Sequence, residues 1–106
     1  MKVYIKEPGK KPKVTDIENT LKALQEIVGG YIETVTLSDR SVLIVNEEGL
    51  PRELPYNCTV ITHSLMPFQT FGTIVLVGRY EDGFTSVSET LESHGREQCR
   101  CYLLEG

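Results

Sequence analysis

The clearest periodic signal in the chain is an apolar stripe in its first third. Ile17, Leu21, Leu24 and Val28 recur at intervals of four, three and four residues, which is the spacing of one face of an α-helix. This stripe predicts an amphipathic helix over residues 16–28. Because such a helix must bury its apolar face, we expect it to pack on a sheet.

Residues at both ends of the stripe fit these bounds. Thr15 with Glu18 three positions later has the pattern of a capping box, in which each side chain satisfies a backbone N–H of the other residue. Gly29 and Gly30 supply the residue type that left-handed helix C-caps prefer.

The remaining apolar segments follow strand patterns. Residues 3–5 are a short apolar run between lysines, and residues 31–37 are rich in β-branched and aromatic side chains. Residues 42–45 and 71–80 are apolar on both faces, as in central strands. The turn sequence at residues 38–41 predicts an antiparallel hairpin between the second and third of these segments.

The middle of the chain is less regular. Residues 50–55 contain too much proline for a central strand. Within residues 56–70, the sequence allows either a short strand over 58–62 or one helical turn capped by Asn57. We expect the apolar cluster at residues 66–71 to cover the sheet as a lid rather than to form an exposed patch.

Further elements are expected near the C-terminus. Turn residues at 81–83 precede a segment, residues 86–93, that predicts a short second helix, and residues 99–104 predict a final strand. We expect the first and last strands to form the sheet edges, with Lys2 and Lys6 protecting the first from further pairing.

Length and composition define the fold class. The chain has 106 residues and 40% hydrophobic content, which suits one domain with a core of its own. We therefore predict a single α+β domain over residues 1–106, with a mainly antiparallel sheet and one principal helix. A small sheet with one helix leaves an apolar face open, which favours a homodimer.

The sequence also bears on location and partners. No apolar run is long enough to span a membrane, the N-terminus lacks a secretory signal, and an odd count of three cysteines suits reduced thiols. These features predict a cytoplasmic protein without membrane contacts. A net charge of −4 argues against direct nucleic-acid binding, and the lysines, which all lie in residues 1–22, are interpreted as a solvated loop or a patch that attracts an anionic ligand.

Candidate ligand contacts cluster around one expected sheet edge. The sequence Asn-Glu-Glu-Gly at residues 46–49 resembles a type I turn that ends in a left-handed glycine, and its Asn amide can bond either the turn backbone or a ligand. The residues that we expect to bind a ligand are Tyr31, Glu33, Asn46, Glu47, Arg52 and Asn57.

Catalytic and metal-binding patterns are weak. Cys58 and His63 match no spacing of a known thiol hydrolase, so we expect no catalytic residues and no cofactor. His94, Cys99 and Cys101 offer three zinc ligands where structural sites normally use four, and we expect no metal there.

Several segments together resemble a known family. Val-Gly-Gly-Tyr-Ile-Glu at 28–33, the turn at 46–49 and Gly-Thr-Ile-Val-Leu-Val-Gly at 72–78 follow an opening strand that continues as Glu-Pro-Gly-Lys-Lys-Pro. In this order they resemble domain of unknown function 3846, a family of small proteins of phages, plasmids and bacteria. The resemblance covers residues 1–80 and leaves 81–106 as an unassigned C-terminal extension.

The family resemblance implies no activity, only the context of a mobile genetic element or its bacterial host. We expect a non-catalytic binding or accessory module that recognises a host protein or a small ligand. Two alternatives remain open. One is a zinc protein or enzyme that uses the C-terminal His and Cys residues, and the other is an acidic inhibitor of a nucleic-acid enzyme.

Overall fold

A computed structural model describes residues 1–80 and 83–86 of the chain. Its elements are β1 (Lys2–Lys6), β2 (Lys13–Asp16), α1 (Leu21–Val28), β3 (Ile32–Ser38), β4 (Ser41–Asn46), β5 (Tyr56–Ile61), β6 (Pro67–Phe71), β7 (Ile74–Tyr80) and β8 (Gly83–Thr85). No helix in this part of the chain is long and apolar enough to cross a membrane.

The main sheet is antiparallel throughout, and its strand order is β2-β1-β7-β4-β3. The short strand β8 pairs with residues 78–80 at the C-terminal end of β7. It lies on the same edge of β7 as β1, which pairs with residues 74–76, whereas β4 lies on the opposite edge. The predicted α+β class and the predicted hairpin between β3 and β4 are confirmed. The central strands β4 and β7 pair with each other, as their apolar sequences predict.

A second, two-stranded sheet made of β5 and β6 forms a separate layer. The main sheet lies between this hairpin and α1, so each of its faces has its own core. The helix-face core consists of Val3, Leu24, Val28, Val42, Ile44, Val75 and Val77. The hairpin-face core consists of Tyr4, Val35, Leu37, Leu43, Val45, Cys58, Val60, Ile74 and Leu76.

The principal helix exists, but its predicted start was wrong. Helix α1 begins at Leu21, where the Thr20 hydroxyl accepts a hydrogen bond from the Ala23 N–H at 3.2 Å. Thr15, the expected cap, belongs instead to β2 and pairs with Val3 of β1. The β-branched residues of β2 suit a strand, and its pairing with β1 outweighs the helical spacing of Ile17.

The helix end agrees with the prediction. Gly29 adopts the left-handed conformation with φ of 81°, and its N–H donates to the Gln25 carbonyl at 2.8 Å. Leu24 and Val28 are buried in the helix-face core, so the C-terminal part of the predicted stripe faces the sheet.

The strand predicted over residues 71–80 is divided in two. Gly72 has φ of 81° and follows Phe71, the last residue of β6, while β7 begins at Ile74. A side chain at Gly72 would also collide with Leu54, since a Cβ there would lie 2.8 Å from the Leu54 Cδ1. The glycine therefore marks the point where the chain leaves the hairpin and enters the main sheet.

The irregular stretch at residues 56–70 forms most of the β5–β6 hairpin. Its strand alternative is confirmed for β5, and the alternative in which Asn57 caps a helical turn is wrong because Asn57 lies within that strand. The lid prediction holds in part, because Phe68 packs on the hairpin-face core while the Met66 side chain is 61% exposed.

The first strand does not form a sheet edge. Strand β1 has β2 on one side and β7 on the other, which leaves β2 and β3 as the outer strands of the order above. Lys6 is accordingly buried, with 3% of its surface exposed, and does not protect an edge. The predicted final strand and residues 87–93 of the predicted second helix lie outside the described residues.

Candidate functional site

A cleft of about 560 Å³ opens between the main sheet and the β5–β6 hairpin. One wall comes from β3, the end of β4 and the turn after it, and the opposite wall comes from β5 and β6. The lining residues are Glu33, Val45, Asn46, Glu47, Gly49, Leu50, Pro51, Thr59, Pro67, Phe68, Gln69, Thr70 and Phe71. This volume lies within the range of small-ligand sites.

Two carboxylates stand on the main-sheet wall of the cleft. Glu33 lies opposite Val45 in the β3–β4 pair, and both residues line the cleft on the hairpin side of the sheet. Glu47 follows β4, and its backbone N–H donates to the Tyr31 carbonyl at 2.9 Å. Both glutamates are exposed, and within the described residues neither carboxylate makes an ion pair.

The opposite wall is a strand with one open side. Strand β6 pairs with β5 only, so within the described residues its other edge has no strand partner. All five residues of β6, Pro67–Phe71, line the cleft. At the end of this wall, the Phe71 ring contacts the Tyr56 ring edge to face, with centroids 5.8 Å apart.

The turn after β4 closes the cleft at one end. A Cβ at Gly49 would lie 3.0 Å from the Phe71 carbonyl oxygen, so the glycine is needed for the close approach of the turn to β6. The expected left-handed glycine at position 49 was wrong, because the positive φ in this region belongs to Glu53. The turn continues through residue 53 rather than ending at residue 49, which moves the left-handed position along the chain.

Asn46 shapes the cleft through hydrogen bonds within the protein. Its Oδ1 accepts from the Glu48 N–H at 2.8 Å, and its Nδ2 donates to the Val28 carbonyl at 3.0 Å. The side chain is buried, so it ties the turn to the C-terminal end of α1. Of the two roles that the sequence leaves open for this amide, the structure shows the contact with the turn backbone.

The structure brings together three of the six residues that we expected to bind a ligand, namely Glu33, Asn46 and Glu47. Arg52 does not line the cleft, because its guanidinium donates to the Gly29 carbonyl at 3.1 Å and so contacts the end of α1. Tyr31 also lies outside the lining, with 67% of its surface exposed.

Asn57 is a core residue rather than a surface contact. Its Nδ2 donates to the Lys6 carbonyl at 2.9 Å and to the Gly72 carbonyl at 2.7 Å, and its Oδ1 accepts from the Lys6 Nζ at 2.6 Å. Both side chains are buried, and no carboxylate in the described part of the chain pairs with Lys6. The amide therefore solvates a buried ammonium group and links β1 and β5 to Gly72, which lies between β6 and β7.

Thr59, Phe68, Gln69 and Phe71 line the cleft but were not predicted as site residues. The sequence does contain a usable signal, because β-branched residues at 59–61 and the proline at 67 flank a short polar turn. That pattern predicts a hairpin, and a two-stranded hairpin necessarily has open edges.

The residues considered for catalysis lie apart from each other, and those considered for zinc binding lie outside the described residues. Cys58 is buried in the hairpin-face core, with its Sγ 3.5 Å from the Thr70 hydroxyl, whereas His63 is exposed in the hairpin turn. His94, Cys99 and Cys101 lie outside the described residues. Among residues 1–80 and 83–86, no group of three His, Cys, Asp or Glu side chains could hold a metal ion.

Comparison with known proteins identifies a family but no characterised relative. No curated protein and no solved structure matches the chain. One family model matches residues 1–99, which includes the whole cleft and extends beyond the segments at residues 1–80 that carry the resemblance. The chain therefore belongs to the family described as domain of unknown function (DUF3846).

Proposed function

We propose that the protein is a non-catalytic binding module whose ligand occupies the cleft between the main sheet and the β5–β6 hairpin. The observation that supports this proposal is that polar groups around the cleft are not used in contacts within the described part of the protein. The Glu33 and Glu47 carboxylates and the free edge of β6 have no protein partner within the described residues. Groups of this kind can bind a ligand without first breaking an internal contact.

The other polar residues near the predicted site have structural roles. The buried side chains of Asn46 and Asn57 make internal hydrogen bonds, and Arg52 contacts the helix end. Removing such a group from its partners would cost free energy before any ligand is bound. The proposed ligand contacts are therefore Glu33, Glu47 and the β6 residues, with Asn46 holding the wall in place.

The biological setting is part of the same proposal. The family resemblance implies a protein of a phage, a plasmid or the bacterium that carries it, which would act in the bacterial cytoplasm on a host partner. Membership in a family without an assigned activity is compatible with an accessory role of this kind. The proposal requires neither a cofactor nor contact with DNA or a membrane.

The proposal can be tested by NMR with a library of small fragments that includes cationic, anionic and neutral members. We expect binders to shift the backbone amide signals of residues 33, 47, 59 and 68–71. Binders that shift signals elsewhere, or a library with no binder, would contradict the proposal.

A variant that fills the cleft provides the control for this experiment. Gln69→Trp places a large side chain at an exposed, cleft-lining position on β6, where an aromatic residue suits the strand. Thr34→Trp is the matched control, since Thr34 is also exposed on a strand but does not line the cleft. We expect Gln69→Trp alone to abolish fragment binding.

A further inference from the structure

We propose that the occupant of the cleft is an extended peptide segment of a partner protein, which inserts a basic side chain between Glu33 and Glu47. This inference rests on the proposed function and adds the chemistry of the ligand to it. Three properties of the lining support it, namely its charge, its apolar surface and the open strand edge.

The charge of the lining favours a cation. Glu33 and Glu47 are the charged residues among the lining residues, and neither is neutralised within the described part of the chain. All lysines of the protein lie in residues 1–22, and no lysine or arginine of residues 1–80 and 83–86 lines the cleft. Two carboxylates that line one cleft attract a bound ammonium or guanidinium group, which can contact both.

The apolar part of the lining suits the long stem of a basic side chain. Phe68 and Phe71 stand on the β6 wall, and Leu50 with Pro51 stands on the turn. The methylene groups of lysine and arginine pack on such surfaces while their charged ends reach polar groups. Phenylalanine rings also attract cations through their faces. Among the described lining residues, none offers a positive charge to an anionic ligand.

The open edge of β6 indicates that the cation belongs to a peptide. All five residues of β6 line the cleft, and the strand pairs on its other side with β5. An extended segment can add to such an edge through main-chain hydrogen bonds, while its side chains provide specificity. A segment paired with β6 would run along the cleft beneath the Glu33 and Glu47 carboxylates.

The test uses three synthetic probes, whose affinities are measured by NMR titration of the wild-type protein. The first is the capped peptide acetyl-Thr-Val-Arg-Val-Thr-amide. The second replaces the arginine with citrulline, which has nearly the same shape but no charge. The third is acetylarginine methylamide, which carries the cation without a strand. We expect the arginine peptide to shift the signals of Glu33, Glu47 and residues 67–71.

We expect the citrulline peptide to bind the same residues about tenfold more weakly, since two partly exposed carboxylates together contribute about this factor. Removing both charges with Glu33→Gln and Glu47→Gln should lower the affinity for the arginine peptide to that for the citrulline peptide. The double variant Glu48→Gln and Glu53→Gln is the matched control, because it removes the same charge at positions outside the lining. It should leave the difference between the peptides unchanged.

Each part of the inference can fail separately from the proposed function. Equal affinity for the arginine and citrulline peptides would overturn the cationic ligand, while binding at the cleft would still support a binding module. Equal affinity for acetylarginine methylamide and the arginine peptide would overturn strand addition. Absence of binding by all three probes overturns the inference, and the fragment screen then decides whether the proposed function also fails.

Discussion

The two faces of the main sheet are covered in different ways, and the difference explains where the candidate site lies. The helix face is closed by α1, whose buried residues Leu24 and Val28 join aliphatic side chains of β1, β4 and β7. The hairpin face has a comparable apolar centre but polar groups at its margins. Lys6 and Asn57 form a buried polar contact, and the cleft with Glu33 and Glu47 lies beside the β6 edge.

The contrast follows from the kind of element that covers each face. A helix satisfies its own backbone hydrogen bonds except at its ends, so it can cover apolar residues without leaving a polar edge. A two-stranded hairpin has two edges with unpaired backbone groups, unless another element covers them. The hairpin face is therefore the face on which a ligand can find both an opening and polar groups.

The largest effect that we predict comes from the buried polar contact on the hairpin face. Asn57→Ala removes the close acceptor of the Lys6 ammonium group and leaves this buried charge only the Glu7 carbonyl at 3.5 Å. It also removes the amide that donates to the Lys6 and Gly72 carbonyls. We expect the free energy of unfolding to fall by about 4 kcal/mol, as measured by urea denaturation. The double variant Lys6→Met and Asn57→Leu should recover part of this loss, because no charge then remains buried, although the Lys6 and Gly72 carbonyls still lack the amide that donates to them.

Asn19→Ala is the control for this variant. Asn19 is exposed and donates one hydrogen bond to the Phe84 carbonyl at 2.9 Å. Its removal should cost less than about 1 kcal/mol, since water can replace the lost partner. Similar losses for Asn19→Ala and Asn57→Ala would show that burial of Lys6 does not determine the effect.

A smaller loss is expected from a cavity on the helix face. Leu24 is 1% exposed, and Leu24→Ala should lower the free energy of unfolding by about 3 kcal/mol in urea denaturation. Because this face is separate from the cleft, the affinity for the arginine peptide should not change in the folded variant. Leu21→Ala, at a helix position with 57% exposure, should have little effect on either quantity.

A change in peptide affinity in Leu24→Ala would contradict the independence of the two faces. That outcome would mean that the packing of α1 determines the width of the cleft, through Asn46 and its contact with the Val28 carbonyl. The stability of the helix face and the shape of the cleft would then be coupled.

The smallest effect that we predict concerns the ion pair between Lys10 and Glu7, which is exposed, whereas the Lys6 ammonium group is buried. Lys10 Nζ lies 2.9 Å from Glu7 Oε2, and this hydrogen bond, with the nearby positive charge, lowers the pKa of Glu7 below its ordinary value of 4.5. The stability from this contact is present above the ordinary pKa and is lost as the pH falls through the lowered value.

Titration of the Glu7 side chain by NMR should show the lowered pKa in the wild-type protein. Lys10→Gln should raise the pKa towards the ordinary value, and 1 M salt should have a similar effect because the pair is exposed. An unchanged pKa in Lys10→Gln would mean that another group, such as Lys13, dominates the local field.

Local patterns predict the fold where local contacts determine it. Gly29 ends the helix as expected because a left-handed C-cap depends on the residue itself. The helix start depends instead on whether residues 13–16 join the helix or pair with β1 as a strand. The helical spacing of apolar residues does not indicate which of these two structures forms. Gly72 breaks the predicted strand for a similar reason, since Leu54 from a distant part of the sequence contacts it.

The site shows the same division between local and long-range causes. Glu33, Asn46 and Glu47 line one cleft because the β3–β4 hairpin, whose pairing local sequence predicts, brings them together. Asn57 was expected among the ligand contacts at a sheet edge, and its burial was not foreseen because its partner Lys6 lies 51 residues away in the sequence. To predict that β6 lines the cleft, one must know which sheet each strand joins. Short apolar segments do not specify this.

The internal position of β1 has a consequence for the way the chain folds during its synthesis. The antiparallel pair of β1 and β2 is synthesised first, but its place in the sheet is beside β7, which is synthesised after β1–β6. Until then, β1 has no strand on the edge that β7 later occupies. We expect nascent chains that stop before residue 74 to be recognised by chaperones or to aggregate, because the sheet can close only when β7 is available.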